Sequence, residues 1–266
     1  LPSLRNSGEK ITEFVPNLSL MLSMKPTGIV DLTTIQALGS FSITWAITAS
    51  TEDVSKKLVF SSSASVYGDA IEVPMTEDHP FNNKNFYGAT KIAGEAMATA
   101  FNDRYGLKVV GLRYMNVYGP HQDQTAAYTG VVPILLNKIQ ANEPPTINGD
   151  GSQSYDFIYV EDVARCNVKA LKSDVNHGFY NVGTEVQTSI KELCNLILDL
   201  KESELQVKYN PYSKDDARAL VQNRIGSRKK AENELKFLYK YSLEQGLKKL
   251  IEWRIKTGLD KAKVIS

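Results

Sequence analysis

The sequence predicts an α/β fold in which helices alternate with the buried strands of a parallel sheet. Residues 56–60, Lys-Lys-Leu-Val-Phe, are typical of a short buried strand, which leads into three serines. A second run, residues 107–112, is rich in β-branched side chains and follows a long helical pattern. Helix and buried strand thus alternate from Asp31 to Leu112, which is typical of a parallel sheet. Because chemistry gathers at the carboxyl ends of such strands, we expect a site where these two strands end.

Each element has its own local signal. Apolar residues three and four apart predict a helix over residues 31–49, and the turn-forming residues 64–85 predict a surface loop. The clearest helix is Phe86–Tyr105, with Gly106 placed for a left-handed C-terminal cap. Further on, the patterns predict a helix over residues 131–140, a turn over 148–151, strands over 155–160 and 179–182, a helix capped by Asp162 that begins near Val163, a helix capped by Ser189 or Thr188 that ends near Leu200, and a last helix over 243–255.

Composition excludes several classes of partner. The chain has 266 residues, of which 42% are hydrophobic, enough to bury a sizeable core. With 31 basic and 30 acidic side chains its net charge is +1, so no overall field attracts nucleic acid or a membrane. Two cysteines and three scattered histidines give no metal-ligand spacing, and no apolar run reaches the roughly 18 residues of a membrane span. We expect a cytoplasmic protein without a metal site.

The stretch Tyr-Gly-Ala-Thr-Lys at residues 87–91 is the first candidate for catalysis. Tyr87 and Lys91 lie one turn apart on the same face of the predicted helix. A nearby ammonium favours the phenolate, so we expect Lys91 to lower the pKa of Tyr87 and to make it a useful base. Taken alone the spacing is weak, because many amphipathic helices show it.

Four stretches together resemble one family. They are Ser-Ser-Ser-Ala-Ser-Val-Tyr-Gly at 61–68, Tyr-Gly-Ala-Thr-Lys at 87–91, Arg-Tyr-Met-Asn-Val-Tyr-Gly-Pro at 113–120 and Asp-Phe-Ile-Tyr-Val-Glu-Asp-Val-Ala at 156–164. Their order and spacing resemble the extended short-chain dehydrogenase/reductase family, in its NAD-dependent sugar-nucleotide epimerase and dehydratase branch, and most of all its UDP-glucose 4-epimerases. The resemblance covers residues 54–254. It implies a Rossmann-like doubly wound parallel sheet over residues 1–120, incomplete at its N-terminal side, and a smaller, mainly substrate-binding part over residues 121–266.

The resemblance also implies a reaction and its residues. Ser63, Tyr87 and Lys91 match the catalytic serine, tyrosine and lysine. Tyr87 would take the proton of the sugar 4-hydroxyl while hydride leaves C4 for NAD, and the 4-keto sugar would turn over before the hydride returns. The residues that match cofactor contacts are Ser61, Ser62, Tyr87, Lys91, Tyr114 and Val117.

The resemblance also implies substrate contacts, but two arginines compete for one of these positions and Tyr155 departs from the family pattern at another. The matching residues are Ser63, Asn116, Val132, Tyr155, Arg218 and Arg224. Arg218 and Arg224 are rivals for one place, an arginine that holds the nucleotide pyrophosphate. Tyr155 stands where many relatives have an arginine, so it brings a hydroxyl and a ring without a charge. The expected partner is a nucleotide sugar, a UDP-hexose, and the resemblance implies a homodimer through the helices that begin near Phe86 and Asp31.

The start of the chain departs from the family pattern. Relatives open with a glycine-rich turn that holds the cofactor pyrophosphate on backbone amides. Here the early glycines, Gly8, Gly28 and Gly39, have the wrong spacing. The first cofactor-binding units are therefore expected to be missing, as in a fragment, and we expect this chain to bind NAD more weakly than micromolar.

Three other functions compete with epimerisation. A 4,6-dehydratase needs an additional acid and base, and relatives of that kind carry Asp-Glu where this chain has Ala64 and Ser65. Nucleotide-sugar decarboxylases usually carry a glutamate at the second of these positions. The third alternative is a remnant that binds nucleotide sugars without turnover, which the missing glycine-rich turn favours and the intact Ser63, Tyr87 and Lys91 oppose.

Overall fold

The computed structural model describes residues 45–48, 57–122, 130–212 and 221–260. Within them the fold is α/β, as predicted. The helices are α1 (Phe86–Tyr105), α2 (Val131–Gln140), α3 (Val160–Lys172), α4 (Ile190–Leu200), α5 (Lys229–Leu235) and α6 (Leu243–Lys256). The strands are β1 (Trp45–Thr48), β2 (Lys57–Ser63), β3 (Lys108–Tyr114), β4 (Asn116–Tyr118), β5 (Thr146–Asn148), β6 (Ser154–Tyr155), β7 (Phe157–Tyr159), β8 (His177–Val182), β9 (Thr188–Ser189), β10 (Lys208–Asn210) and β11 (Asn223–Arg224).

The main sheet has the strand order β1-β2-β3-β8. β2, β3 and β8 are parallel, so their carboxyl ends meet at one edge, with Ser63 opposite Tyr114 and Tyr114 opposite Val182. β1 runs antiparallel to β2. A second parallel pair, β4 and β7, extends beyond this edge, and the small sheets β11-β6-β9 and β10-β5 lie in the second half of the chain. The predicted division at residue 120 stays a prediction.

Helix α1 begins and ends where its local signals place it. The Asn85 side chain caps its N-terminus by accepting the amide N–H of Gly88. Gly106 ends it in the left-handed region at φ 66°. Its outer face exposes Phe86 and several alanines. The homodimer that was expected through this helix stays a prediction.

Two apolar clusters hold the rest of the fold. One lies between α2, α4 and α6, around Leu135, Leu193 and Leu250, and the other packs α3 and α5 against the main sheet. Ser189, one of the two caps expected from the sequence, caps α4 and forms a capping box with Glu192. Among the helices of the described ranges, none has the length and apolar character that a bilayer crossing requires.

In the N-terminal half one predicted helix is wrong, and one predicted surface loop is only partly at the surface. The helix expected over residues 31–49 includes Trp45–Thr48, which is a strand instead; residues 31–44 lie outside the described part of the chain. Aromatic and β-branched side chains favour a strand there once β2 offers a partner. The expected surface loop over residues 64–85 is partly internal, because Tyr67, Met75 and His79 are buried.

Two predictions for the middle of the chain, a continuous strand through Asp156 and a helix cap at Asp162, are wrong. The strand expected over residues 155–160 is split at Asp156 into β6 and β7, and helix α3 begins at Val160. Asp162 therefore lies inside the first turn of α3 and does not cap it. Its carboxylate instead accepts the backbone N–H groups of Lys240 and Tyr241, which ties α3 to the segment that precedes α6.

Candidate functional site

The carboxyl end of β2 presents three consecutive serines that face different neighbours. Because side chains alternate along a strand, Ser61 and Ser63 share one face and Ser62 points to the other, toward α1. Ser63 ends the strand and accepts the amide N–H of Ser65 at 3.2 Å, which caps a short 3₁₀ turn. Ser62 donates to the Glu95 carboxylate at 2.5 Å. The serines are thus held individually by the surrounding structure.

Two glycines allow α1 to approach the end of β2 closely. A Cβ on Gly94 would lie 2.5 Å from the Phe60 ring, and one on Gly88 would lie 2.5 Å from the Ser65 carbonyl oxygen. With no side chain at either position, the helix packs directly on the strand end. This close packing brings the side chains of Tyr87 and Lys91 to the serines.

Lys91 contacts the strand rather than open solvent. Its Nζ donates to the carbonyl oxygen of Ser61 at 2.9 Å and lies 5.5 Å from the centroid of the Tyr87 ring. Burial lowers the pKa of Lys91, since a partly desolvated ammonium is disfavoured. The predicted neighbours on the helix face are therefore close in space.

The prediction that Lys91 lowers the pKa of Tyr87 is wrong for this structure. Burial raises the pKa of Tyr87. A hydrogen bond with the Ser63 side chain and the charge of Arg224 act in the opposite direction but do not outweigh it. The effect of packing around the phenol was not visible in the helical spacing. The Tyr87 side chain as a whole is nevertheless 42% exposed.

The end of β3 supplies the second wall of the site. The Tyr114 hydroxyl lies 3.3 Å from Ser61 Oγ and 2.9 Å from Asn167 Oδ1, and burial raises the pKa of Tyr114 to about 12. Asn116 donates through Nδ2 to the carbonyl oxygen of Asp156 at 3.1 Å. Its amide is thereby fixed at the start of β4.

A cavity of about 480 Å³ opens between these walls, within the size range of small-molecule sites. It is lined by Ser62, Ser63, Ala64, Ser65, Asn85, Tyr87, Tyr114, Met115, Asn116, Val117, Tyr118, Gln122, Gly130, Val131, Val132, Pro133, Phe157 and Arg224. The fold therefore brings most of the residues implied by the sequence to one place.

Three of the implied residues that the structure describes, Ser61, Lys91 and Tyr155, do not line this cavity. Ser61 and Lys91 lie behind its wall, bonded to each other. Tyr155 is directed elsewhere, since its hydroxyl donates to the Val221 carbonyl oxygen at 2.8 Å. Arg224 lines the cavity. Arg218, the other arginine that the resemblance implies for the pyrophosphate, lies outside the described residues.

Three polar atoms in the cavity wall are buried without a hydrogen-bond partner. They are Ser65 Oγ, Gln122 Oε1 and Arg224 Nε. Arg224 forms no ion pair with a carboxylate of the described residues, and burial lowers its pKa. Buried polar groups are normally satisfied, so a polar ligand is the natural partner for these three. Gln122 was missed in the sequence, where nothing distinguishes it from other loop residues.

No described residue that lines the cavity is an aspartate or a glutamate. The Asp156 side chain is fully buried, and its carboxylate accepts hydrogen bonds from the backbone and hydroxyl of Thr184 and from the amide of Glu185. Burial raises the pKa of Asp156 to about 6. It organises the turn after β8 and does not face the cavity. Among the described lining residues, Arg224 is the one with a formal charge.

Comparisons with known proteins agree on one family. Residues 29–183 match the sequence model of the NAD dependent epimerase/dehydratase family. The UDP-N-acetylglucosamine 4-epimerase of Methanobrevibacter ruminantium M1, solved with UDP-N-acetylmuramic acid, superposes with a TM-score of 0.71 at 34% identity, over 76% of this chain and 63% of that chain.

Curated relatives include both epimerases and dehydratases. The UDP-glucose 4-epimerase of Mycolicibacterium smegmatis is 32% identical over 75% of this chain and 62% of its own length. The dTDP-D-glucose 4,6-dehydratase of Homo sapiens is 29% identical over 78% of this chain and 59% of its own length. The chain thus spans less than two thirds of the length of these relatives.

Proposed function

Because the chain belongs to the NAD-dependent epimerase/dehydratase family, we propose that it inverts C4 of a UDP-hexose through a transient 4-keto sugar. The observation that carries the proposal is the composition of the cavity. A tyrosine and a serine that bond to each other share it with an unpaired guanidinium, and no described lining residue is a carboxylate. Such a cavity suits a polar anionic ligand with a reactive hydroxyl.

Tyr87 is the group that moves the proton of the sugar 4-hydroxyl. Its phenol bonds to Ser63, so a substrate oxygen placed between them receives two hydrogen bonds. Ser63 itself is fixed, because its oxygen accepts the Ser65 amide N–H at 3.2 Å. The raised pKa of Tyr87 means that the phenol is protonated before ligands bind, and a positive charge brought near it would favour the phenolate.

The residues behind and beside Tyr87 fit a nicotinamide cofactor. Lys91 has three N–H donors and uses one on the Ser61 carbonyl oxygen, which leaves others for ribose hydroxyls. Tyr114 and Val117 provide a ring and an apolar side chain in the same wall. NAD, when bound, supplies the hydride acceptor and a positive charge. The expected weakness of NAD binding concerns the beginning of the chain, outside the described residues, and stays a prediction.

Arg224 is the group that recognises the pyrophosphate of the substrate. Its Nε is buried and unpaired, and a guanidinium binds phosphate oxygens through short charge-assisted hydrogen bonds. Asn116 has an amide oxygen and the second N–H of Nδ2 left for the same ligand, beyond its bond to Asp156. These groups lie in one cavity with Tyr87, as a nucleotide sugar requires.

The lining supports epimerisation over dehydration. Expelling the 6-hydroxyl as water requires an acid and a base besides Tyr87. Ala64 and Ser65 occupy the cavity wall at the two relevant positions, and neither side chain can donate and accept protons near neutral pH. Epimerisation requires neither group.

The direct test is incubation of the chain with UDP-galactose, UDP-N-acetylglucosamine or UDP-glucuronate and millimolar NAD, followed by chromatographic separation. We expect one substrate to yield its C4 epimer, and the Tyr87→Phe variant to yield none. Formation of a 4-keto-6-deoxy sugar would instead identify a dehydratase. Absence of any product while UDP-sugar binding is measurable would favour the non-catalytic alternative.

A further inference from the structure

We propose that Glu95 is a positioning residue, which holds Ser62 and thereby fixes the reactive Ser63 opposite Tyr87. The inference rests on the proposed function, in which Ser63 and Tyr87 act on the sugar. It deepens that function by adding a residue that neither the motifs nor the cavity lining identifies, since Glu95 is buried behind the wall.

Three residues of α1 contact the three serines, one each. Residues 87, 91 and 95 recur every four positions, so they lie along one face of the helix. Tyr87 bonds to the Ser63 side chain, Lys91 donates to the Ser61 carbonyl oxygen and Glu95 accepts from the Ser62 hydroxyl. The end of β2 is therefore held at each of its last three residues by successive turns of one helix.

The Glu95 carboxylate is itself held rigidly. Arg113 donates to it through Nε at 2.9 Å and Nη2 at 2.8 Å, and the two side chains are only 5% and 4% exposed. Arg113 is also the residue directly opposite Ser62 in the β2-β3 ladder. The carboxylate thus joins α1 to both strands at one point. The bidentate geometry leaves little freedom for the carboxylate to move.

The Glu95–Arg113 ion pair does not require the Ser62 hydroxyl for its stability. The hydrogen bond from Ser62 is therefore an addition to that pair. Glu95 and Arg113 would neutralise each other in its absence. The 2.5 Å bond from Ser62 Oγ to Glu95 Oε1 adds a restraint one residue before Ser63, and the Lys91 bond restrains Ser61. The 3₁₀ segment begins at Ala64, directly after Ser63. Releasing Ser62 should therefore loosen Ser63 without dissolving the pair.

Two variants and a matched control separate positioning from stability. Ser62→Ala removes the hydrogen bond to Glu95 and keeps the Glu95–Arg113 ion pair. Glu95→Gln weakens the hydrogen bond from Ser62 as well as the ion pair. Asp260→Asn is the control, because Asp260 pairs with Arg254 at 2.7 Å, with side chains 0% and 4% exposed, and neither residue lines the cavity. All proteins are prepared with ¹³Cζ-labelled tyrosine, and Tyr87→Phe assigns the Tyr87 resonance among the 13 tyrosines.

The first readout needs neither cofactor nor turnover. The Tyr87 ¹³Cζ shift at neutral pH reports the hydrogen bond between the phenol and Ser63. We expect it to move in the same direction in Ser62→Ala and Glu95→Gln and to stay in place in Asp260→Asn. A Tyr87 resonance at its original position in the folded Ser62→Ala protein overturns the proposal, as does an equal displacement in the control. Should Glu95→Gln fail to fold, Ser62→Ala decides alone.

The second readout is turnover with saturating NAD. We expect kcat to fall on the order of 10- to 100-fold in both variants, with KM within about twofold, because misplacement of a reacting group slows the chemical step more than binding. The double variant should lose no more than Glu95→Gln alone, since both changes act through one bond. If the original chain shows no turnover while the Tyr87 resonance moves as expected, the proposed function fails and the positioning role of Glu95 stands.

Discussion

Arg224→Met should strengthen the fold and weaken ligand binding at the same time. In the structure Arg224 Nε is buried without a partner, and burial lowers the pKa of the guanidinium, so the charged form is disfavoured where it lies. An unsatisfied buried polar group costs about 1–3 kcal/mol. Methionine keeps the apolar stem and removes that cost. The melting temperature should rise by about 2–4 °C for each kcal/mol in a protein of this size.

The same change should weaken binding of a nucleoside diphosphate. A hydrogen bond to a charged group contributes about 1.5–3 kcal/mol, so the Kd of UDP should increase roughly 10- to 150-fold. Calorimetric titration with UDP in the presence of NAD measures this, and differential scanning calorimetry measures the stability. The two effects have opposite signs because the ligand is the missing partner of the guanidinium.

Arg228 is the matched control on the same segment. Its side chain pairs with Glu232 at 3.0 Å and with Glu185 at 3.9 Å, and it does not line the cavity. Arg228→Met should leave UDP binding unchanged and should not raise the melting temperature. Should Arg224→Met lower the melting temperature and bind UDP as tightly as the original chain, Arg224 is a structural residue and the reasoning is refuted.

Three further predictions concern the tyrosine, a buried carboxyl and a glycine. Tyr87→Phe should reduce epimerisation on the order of 100- to 10,000-fold with an unchanged circular dichroism spectrum, and near-normal turnover would reveal another base. Burial raises the pKa of Asp156 from 3.8 to about 6, so the protonated carboxyl stabilises the fold at low pH, and this stabilisation is lost as the pH rises from about 4 to 6. In urea titrations the free energy of unfolding of Asp156→Asn should not show this decrease over the same pH range. Gly88→Ala should lower kcat, because its Cβ would lie 2.5 Å from the Ser65 carbonyl oxygen, whereas Ala89→Ser on the exposed side should not.

The parts of the fold that follow local rules were predictable. Helix α1 has the predicted bounds, since its periodicity is long and Gly106 adopts the left-handed conformation that ends a helix. The serines at the end of β2 and the residues after β3 meet, because carboxyl ends of parallel strands share one edge. These conclusions needed only spacing and strand order.

The parts that depend on burial were not predictable. Asp156 breaks an apolar run because its carboxylate is satisfied by backbone amides that are distant in sequence. Trp45 continues the helical spacing of the apolar residues before it, and yet Trp45–Thr48 pairs with β2. The pKa of Tyr87 depends on how closely α1 packs on the sheet, and the spacing of Tyr87 and Lys91 carries no information about that distance.

Close packing of α1 on the strand end has two consequences that oppose each other. It brings Glu95 within 2.5 Å of Ser62 and Lys91 within 2.9 Å of Ser61, so the serines are positioned without a ligand. The same closeness removes water, which raises the pKa of Tyr87 and lowers that of Lys91, so the charged form of each group is less favoured than it is in water. The geometry is therefore set without a ligand, whereas the phenolate of Tyr87 is disfavoured until a positive charge lies beside it. In the proposed function the cationic nicotinamide ring would supply that charge beside Tyr87, so proton transfer would depend on bound NAD as well as on the substrate.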